Sequence, residues 1–502
     1  MFEKLDRILR QTIHGLFLTL FFFLPLIFWI PSSEVFELPK MYFVYAMTAL
    51  ISGLWLARMI VGREIIIKRT PLDIPILLFL LSQIASTIYS IDPHVSWFGW
   101  YGRFNGGLLS TISYTLLYYA LVSNLSEHSE NSESRKVRNS DNQKAGASDS
   151  LNFRFSGFSG SRSIPSVLIF AILASAAIVS VYALLQRFGI DRDFWVQDVM
   201  NRVFSTQGQP NWLAAYLVMV IPIAIIFTNK YQSPINTNKP MKKNNWVIGL
   251  LGYWVIGLFF TALLFTKSRS GLLGFAVADV VFWGLIFAKA RPCFARPGLN
   301  WVIIHLGILF LILATNNPVL RPSSFFPLPS SLNSQPSPTK SELGGTESGD
   351  IRRLVWSGAL EIAKRNPVFG TGPETFGLTY WQVRPKEANQ TSEWNFLYNK
   401  AHNEWLNLAA NTGLFGFGTH LLLVTWFTIW VLRNLFRFMI HDSRFMILAA
   451  VLAANLGVEV INFFGFSTVT IGTYRYLFMA MAVVVGQREE GIRKKEEGRK
   501  LS

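Results

Sequence analysis

Residues Trp246–Phe265 read WVIGLLGYWVIGLFFTALLF, Thr266–Ser270 read TKSRS, and Gly271–Phe287 read GLLGFAVADVVFWGLIF. A helix needs about 20 mainly apolar residues to cross the hydrocarbon of a bilayer, and both apolar runs come close to that length. The connector carries Lys267 and Arg269 and has room only for a turn. The three pieces read as a transmembrane hairpin with a basic turn at one membrane face.

Comparable runs fill the rest of the chain. Four begin near Thr12, Met41, Leu72 and Gly106, within residues 1–123. Runs from Pro165, Asn211 and Trp301 join the hairpin in 165–315, and runs from Gly413, Phe445 and Thr468 occupy 413–486. The expected fold is therefore all-α and integral to the membrane, with about twelve transmembrane helices. Composition agrees: 51% of the 502 residues are hydrophobic and 15% are charged, against about a quarter charged in soluble domains. Mean hydropathy is +0.33. Cys293 is the only cysteine, so the chain holds no internal disulfide and no cysteine metal cluster. The net charge of +16 reads as basic loops against anionic lipid rather than as a nucleic-acid surface.

The first run follows Lys4, Arg7 and Arg10 but ends in Trp29-Ile30-Pro31-Ser32 without a small-x-small cleavage site, so it reads as a retained anchor spanning Thr12–Ile30. Alternate loops carry Arg58, Arg63, Lys68 and Arg69, then Arg135, Lys136 and Arg138, then Lys239, Lys242 and Lys243. Arg291, Arg296, Arg433 and Arg437 continue the series into a basic tail over 487–502. With each run crossing once, these loops share the side of both termini, which the positive-inside rule makes the cytoplasm.

Two polar stretches interrupt the pattern. Residues 124–164 are rich in Ser, Asn and charge and read as a cytoplasmic loop without a core. Residues 316–412 form a large outer loop whose start, Pro322–Gly349, is Ser- and Pro-rich. The rest of that loop reads as structured. Leu354, Val355, Ala359, Leu360 and Ile362 give Ile351–Arg365 a helical spacing that Asn366-Pro367 stops. Glu393–Asn411 reads as a second helix, with Gly413 placed to end it.

Polar chemistry on the outer side concentrates in three motifs. Arg202–Asn211 precedes a span, Lys267–Gly271 is the hairpin turn, and Gly370-Thr371-Gly372-Pro373 with Ala401-His402-Asn403-Glu404-Trp405 lies in the large loop. Arginine offers a planar fork of donors that matches phosphate oxygens and stays charged. Arg202 and Arg269 on one face could clamp a diphosphate whose lipid tail lies in the bilayer; the alternative is that each snorkels to the headgroups. His402 suits proton acceptance near neutral pH, and equally a solvated or capping role. Gly370 and Gly372 read as a turn that places the loop helices, since no dinucleotide fingerprint follows them. The sequence contains no HExxH-type metal motif and no phosphate-binding Walker loop, so no metal or cofactor is expected.

Ser268-Arg269-Ser270-Gly271-Leu272-Leu273-Gly274, then Asn366-Pro367 with Gly370-Thr371-Gly372, then Ala401–Leu406 with Thr412-Gly413-Leu414-Phe415-Gly416 occur in that order. From about Phe98 onward the chain resembles the O-antigen ligase and polymerase superfamily of bacterial membrane glycosyltransferases. The resemblance implies a GT-C-like helical fold in the inner membrane, a donor glycan on undecaprenyl diphosphate and metal-free, inverting transfer. The acceptor would be lipid A core or another surface glycan. It implies that Arg202 and Arg269 bind the donor diphosphate and that His402 belongs to the active site, with Asn403 and Glu404 positioning the loop. A polymerase or a protein oligosaccharyltransferase would share these features. Small-solute transport, as in inorganic-carbon carriers, is the reading from another class; it would favour ionisable groups near the midplane.

The last two runs hold one carboxylate and one cation, Glu459 and Arg475. Such groups cost about 2.5–3.5 kcal/mol inside a span and usually pair. Their distances from the short intervening turn predict that they pair, directly or through water, and border the donor cavity; the alternative is that Arg475 snorkels outward and Glu459 is protonated.

Overall fold

The computed structural model describes residues 2–125, 164–232, 245–290, 295–315, 348–440 and 442–501, with Asn317 and Val319. Cys293, the loop cations Arg135, Lys136, Arg138, Lys239, Lys242, Lys243 and Arg291, and most of the two polar stretches lie outside the described residues. Within them, every regular element is helical.

The order is α1 (Phe2–Phe23), α2 (Glu37–Gly62), α3 (Asp73–Ile88), α4 (Pro93–Phe98), α5 (Leu108–Leu125), α6 (Ile164–Arg187), α7 (Pro210–Gln232) and α8 (Asn245–Phe265). It continues with α9 (Arg269–Lys289), α10 (Ala295–Thr315), α11 (Ser348–Arg365), α12 (Phe376–Val383), α13 (Glu404–Leu435), α14 (Ser443–Phe463) and α15 (Val469–Leu501). Each of the apolar runs coincides with a helix. Among the described residues nine helices are long and apolar enough to cross a bilayer. Asp73–Ile88, Pro210–Ile226 and Gly249–Phe265 are shorter apolar helices.

Packing centres on α14, whose apolar part is almost wholly buried, and on the similarly buried first half of α15. Without a hydrophobic driving force in lipid, helices approach through small residues. Here α9 crosses α14 at Gly274 and Gly457: a Cβ on Gly274 would stand 2.7 Å from the Gly457 carbonyl oxygen, and one on Gly457 2.8 Å from that of Gly274. Between α10 and α13 in the chain, α11 turns Ile351, Val355, Ala359 and Ile362 onto Phe376, Tyr380 and Tyr398 as a small second core.

Several boundaries differ from those read in the sequence. The first helix ends at Phe23 rather than Ile30, because Pro25 cannot continue it, and Lys4, Arg7 and Arg10 lie within it. α5 reaches Leu125, so Asn124 is a buried helical residue, not the start of a loop. Arg58 is also buried: its Nε donates to Asp6 at 2.7 Å and its Nη1 to Asn124 Oδ1 at 2.6 Å. A buried guanidinium must be paired, so this cation is spent on tying α1, α2 and α5 together rather than on a loop. On α11, Leu360 faces outward although it fits the apolar spacing.

The second outer helix begins at Glu404, eleven residues later than Glu393. Asn403 decides that start, since its Oδ1 accepts from the backbone N–H of both Trp405 and Leu406 at 3.0 Å. At Gly413 the backbone turns to φ 64°, ψ −171°, and the helix then resumes to Leu435. Outer helix and span thus form one bent rod, and the expected boundary between 412 and 413 falls at its bend. The basic tail beyond Gln487 continues α15 as helix to Leu501.

Candidate active site

The segment after Arg202 is held from three sides. Gln186 Oε1 accepts from the N–H of Phe204 and Ser205, at 3.2 and 2.7 Å. Lys40 Nζ donates to the Thr206 carbonyl at 2.8 Å, and Thr206 Oγ1 donates to the Pro25 carbonyl at 2.6 Å. Arg202 itself reaches the hairpin turn. Its Nε donates to the Thr266 carbonyl at 3.0 Å and its Nη2 to Asn211 Oδ1 at 3.3 Å, an oxygen that also accepts from Ser268 Oγ at 2.8 Å. Ser268 in turn caps α9 through the Gly271 N–H. The first two motifs therefore meet at Asn211. Arg269, the first residue of α9, is exposed and makes no hydrogen bond or ion pair among the described residues.

The third motif is built around the bend of α13. Breaking the helix at Gly413 frees two donors, and the Pro367 and Val368 carbonyls take them: Leu414 N donates to the former at 2.8 Å, Phe415 N to the latter at 3.2 Å. In return Thr371 N and Gly372 N donate to the carbonyls of Ala410 and Asn411. Gly370 has φ 68°, and a Cβ there would lie 2.2 Å from the Asn411 carbonyl carbon, so this approach admits only glycine. Ser86 of α3 fastens the arrangement by donating to the carbonyls of Phe369 and Asn411.

His402 lies one residue ahead of the Asn403 cap, with φ 52°, a left-handed conformation that non-glycine residues seldom adopt. Its ring stands edge-on to Phe466 and Tyr398, with centroids at 5.5 and 6.0 Å. Burial, reinforced by the positive charges of Arg352, Arg103 and Lys400, pushes its pKa down to about 4, so the ring is neutral at physiological pH. Glu404 does not touch it; its Oε2 accepts from Ser467 N at 3.4 Å.

Cations converge here that the sequence reading did not single out. The Arg103 guanidinium lies against an edge-on pair of rings, 5.3 Å from Trp212 and 5.7 Å from Phe466, and its buried Nη1 has no hydrogen-bond partner. Lys400 Nζ lies 5.4 Å from the Phe466 centroid. Arg352 of α11 acts electrostatically on both His402 and Arg202, whose own pKa is lowered by burial and then by that charge. Arg202, Arg352 and Arg103 form no ion pair among the described residues. The signal for Arg103 was its place in an aromatic inter-helix turn, Trp100–Phe104; nothing marked Arg352, because its neighbours come from segments far away in the chain.

Arg202, the hairpin turn and His402 thus share one region in which arginines outnumber carboxylates, Glu37 acting on Arg103 and Asp198 on Lys267 from a distance. Residues 254–421 match the O-antigen ligase family model. The match takes in Arg269, Arg352, Gly370, Gly372, Lys400 and His402, and leaves Arg103 and Arg202 outside it. No curated protein matches the chain. The chain is a multi-pass membrane protein whose residues 254–421 are similar to the O-antigen ligase family.

The ion pair expected between the last two helices is present: Arg475 Nη2 meets Glu459 Oε1. Glu459 also accepts from Trp405 Nε1 at 3.2 Å and lies 3.6 Å from His420 Nε2. His305 likewise faces a carboxylate, its Nε2 lying 2.9 Å from Asp279. Both partners sit on other helices, which spacing along the chain does not reveal. Among the described residues no group of three or more His, Cys, Asp or Glu is placed to hold a metal ion.

Proposed function

We propose that the protein is a membrane glycosyltransferase of the O-antigen ligase type, moving a glycan from undecaprenyl diphosphate to a hydroxyl of an outer-face acceptor. The observation that carries this reading is the cationic region itself: Arg202, Arg352 and Arg103 gather beside a neutral histidine with no ion pair among the described residues. A diphosphate supplies the missing negative charge, and the free Nη1 of Arg103 can donate to one of its oxygens. Arg269, exposed at the turn joined to Arg202 through Ser268 and Asn211, adds a further fork in this reading. We further propose that all twelve apolar helices cross the membrane once in a GT-C-like bundle, in a bacterial inner membrane, with both termini cytoplasmic.

The chemistry follows from these charges. The acceptor oxygen attacks the anomeric carbon while the bond from that carbon to the diphosphate oxygen breaks, its electron pair going to the diphosphate. Configuration at that carbon inverts. The proton of the acceptor hydroxyl passes to a ring nitrogen of His402, and from there to solvent. Fixed cations matter most as the leaving diphosphate gains charge.

The neutral form of His402 is the base, and its lowered pKa keeps that form populated down to about pH 4. The acid limb of kcat/KM, which reports the free enzyme, should accordingly lie well below the usual histidine range. A limb between pH 6 and 7 would remove His402 as the base. The function itself is tested with purified protein in nanodiscs and a labelled lipid-linked glycan. Label arriving on lipid A core supports the ligase; chains lengthening on the carrier indicate a polymerase, and label on protein an oligosaccharyltransferase.

A further inference from the structure

Beside the cationic region lies a cavity of a different character. It runs from Lys400 and Ser467 in the outer loops to His420 on α13 and Met479 on α15, with α5 closing another side. Its enclosed space is about 120 Å³, enough for several waters or for the polar edge of a small ring. Charge in its lining is balanced: Glu374 and Glu404 against Lys400 and Arg475. Lys400 Nζ bonds Glu374 Oε1 at 2.6 Å, and Arg475 is paired with Glu459 behind the wall.

Polar atoms left over in that wall point to an occupant. Glu374 Oε2, Asn411 Oδ1 and Thr468 Oγ1 are buried without a hydrogen-bond partner, as is Arg475 Nε. The first three belong to residues exposed by 5%, 2% and 3%, and an unsatisfied buried polar group costs about 1–3 kcal/mol. Three acceptors and a donor around a charge-balanced space suit a neutral ligand rich in hydroxyls. A phosphate would face two carboxylates, and a bare cation would face Lys400 and Arg475. The position is also informative: Lys400 and Glu404 flank His402 in the chain, and Thr468 lies two residues past Phe466, against whose ring His402 stands.

We propose that this cavity is the acceptor subsite, taking the hydroxyl-bearing edge of one sugar unit next to His402. The inference rests on the glycosyl-transfer reading for the word acceptor; sugar binding itself does not. Donor diphosphate and acceptor hydroxyl then occupy two chemically different compartments, one rich in arginine and one balanced, the second lined by the residues on either side of His402.

The test uses the full chain in lipid nanodiscs, free of sugar-based detergent, and saturation-transfer NMR. The probes are the methyl glycosides of glucose, galactose and N-acetylglucosamine, with inorganic pyrophosphate followed separately. Wild type should bind at least one glycoside, and Asn411→Leu and Thr468→Val should each weaken that binding tenfold or more. Pyrophosphate binding should stay within twofold in both variants, which also shows that they are folded. Arg202→Ala should do the reverse. Glycoside binding that survives both variants, or binding of no glycoside by wild type, overturns the inference. Glycoside binding lost in the variants, from a protein that transfers no glycan, keeps the sugar site and discards the transferase reading instead.

Discussion

Replacing His402 with alanine lowers glycan transfer by about 10²–10⁴-fold, the usual worth of a positioned general base, while donor binding stays close to wild type. The ring is neutral because burial and three nearby cations depress its pKa to about 4, so it contributes little charge to the diphosphate and chiefly a lone pair to the acceptor proton. His402 also sits at φ 52°, where alanine is strained by roughly 1–2 kcal/mol. His402→Asn separates the two effects, since asparagine tolerates that conformation and is no base. Both variants should lose kcat alike at unchanged half-saturating donor. Transfer by His402→Asn within a few-fold of wild type takes the residue out of the chemistry.

Arg202→Ala carries the second large effect, an expected loss of about 10²–10³-fold in rate, as when one donor to a developing oxyanion is removed. Arg202 bonds the Thr266 carbonyl and Asn211, so part of the loss comes from releasing the hairpin turn. Arg202→Lys preserves the charge without the fork and should recover only part of the rate. Arg269→Ala makes a cleaner comparison, because Arg269 is exposed and bonded to nothing among the described residues. A similar loss there, with expression and membrane insertion intact, reads as a direct role toward the diphosphate. Rates are measured at saturating acceptor. Wild-type rates in both alanine variants contradict the assignment of the diphosphate to this region.

Most of the helical architecture was legible because hydropathy over 20 residues is a strong signal and each apolar run has become a helix. The interruption at Gly413, read as a helix end and found as a bend, and the pairing of Glu459 with Arg475 were legible for equally local reasons: a glycine closing a helical pattern, and single opposite charges in adjacent spans. Helix ends were less so. Asn403 was quoted within a motif, yet its capping side chain outweighed the apolar spacing upstream and moved the start to Glu404. The site was legible only by its motif residues. Arg103, Arg352 and Lys400 act on His402 from an inter-helix turn, from α11 and from the loop before α13, and no period or spacing in the chain announces such a convergence. His420 and Asp279 show the same limit, since each finds its partner on another helix.

The central claim is that Arg202, Arg352, Arg103 and Arg269 define one diphosphate site beside a neutral His402. Cryo-electron microscopy of the full chain in nanodiscs with undecaprenyl diphosphate tests it directly. The account predicts diphosphate density within hydrogen-bond distance of Arg202 and Arg103 Nη1, between the Lys267–Gly271 turn and the Phe466 ring, with the balanced cavity free of it. Diphosphate density inside that cavity, or on the opposite membrane face, would contradict the account.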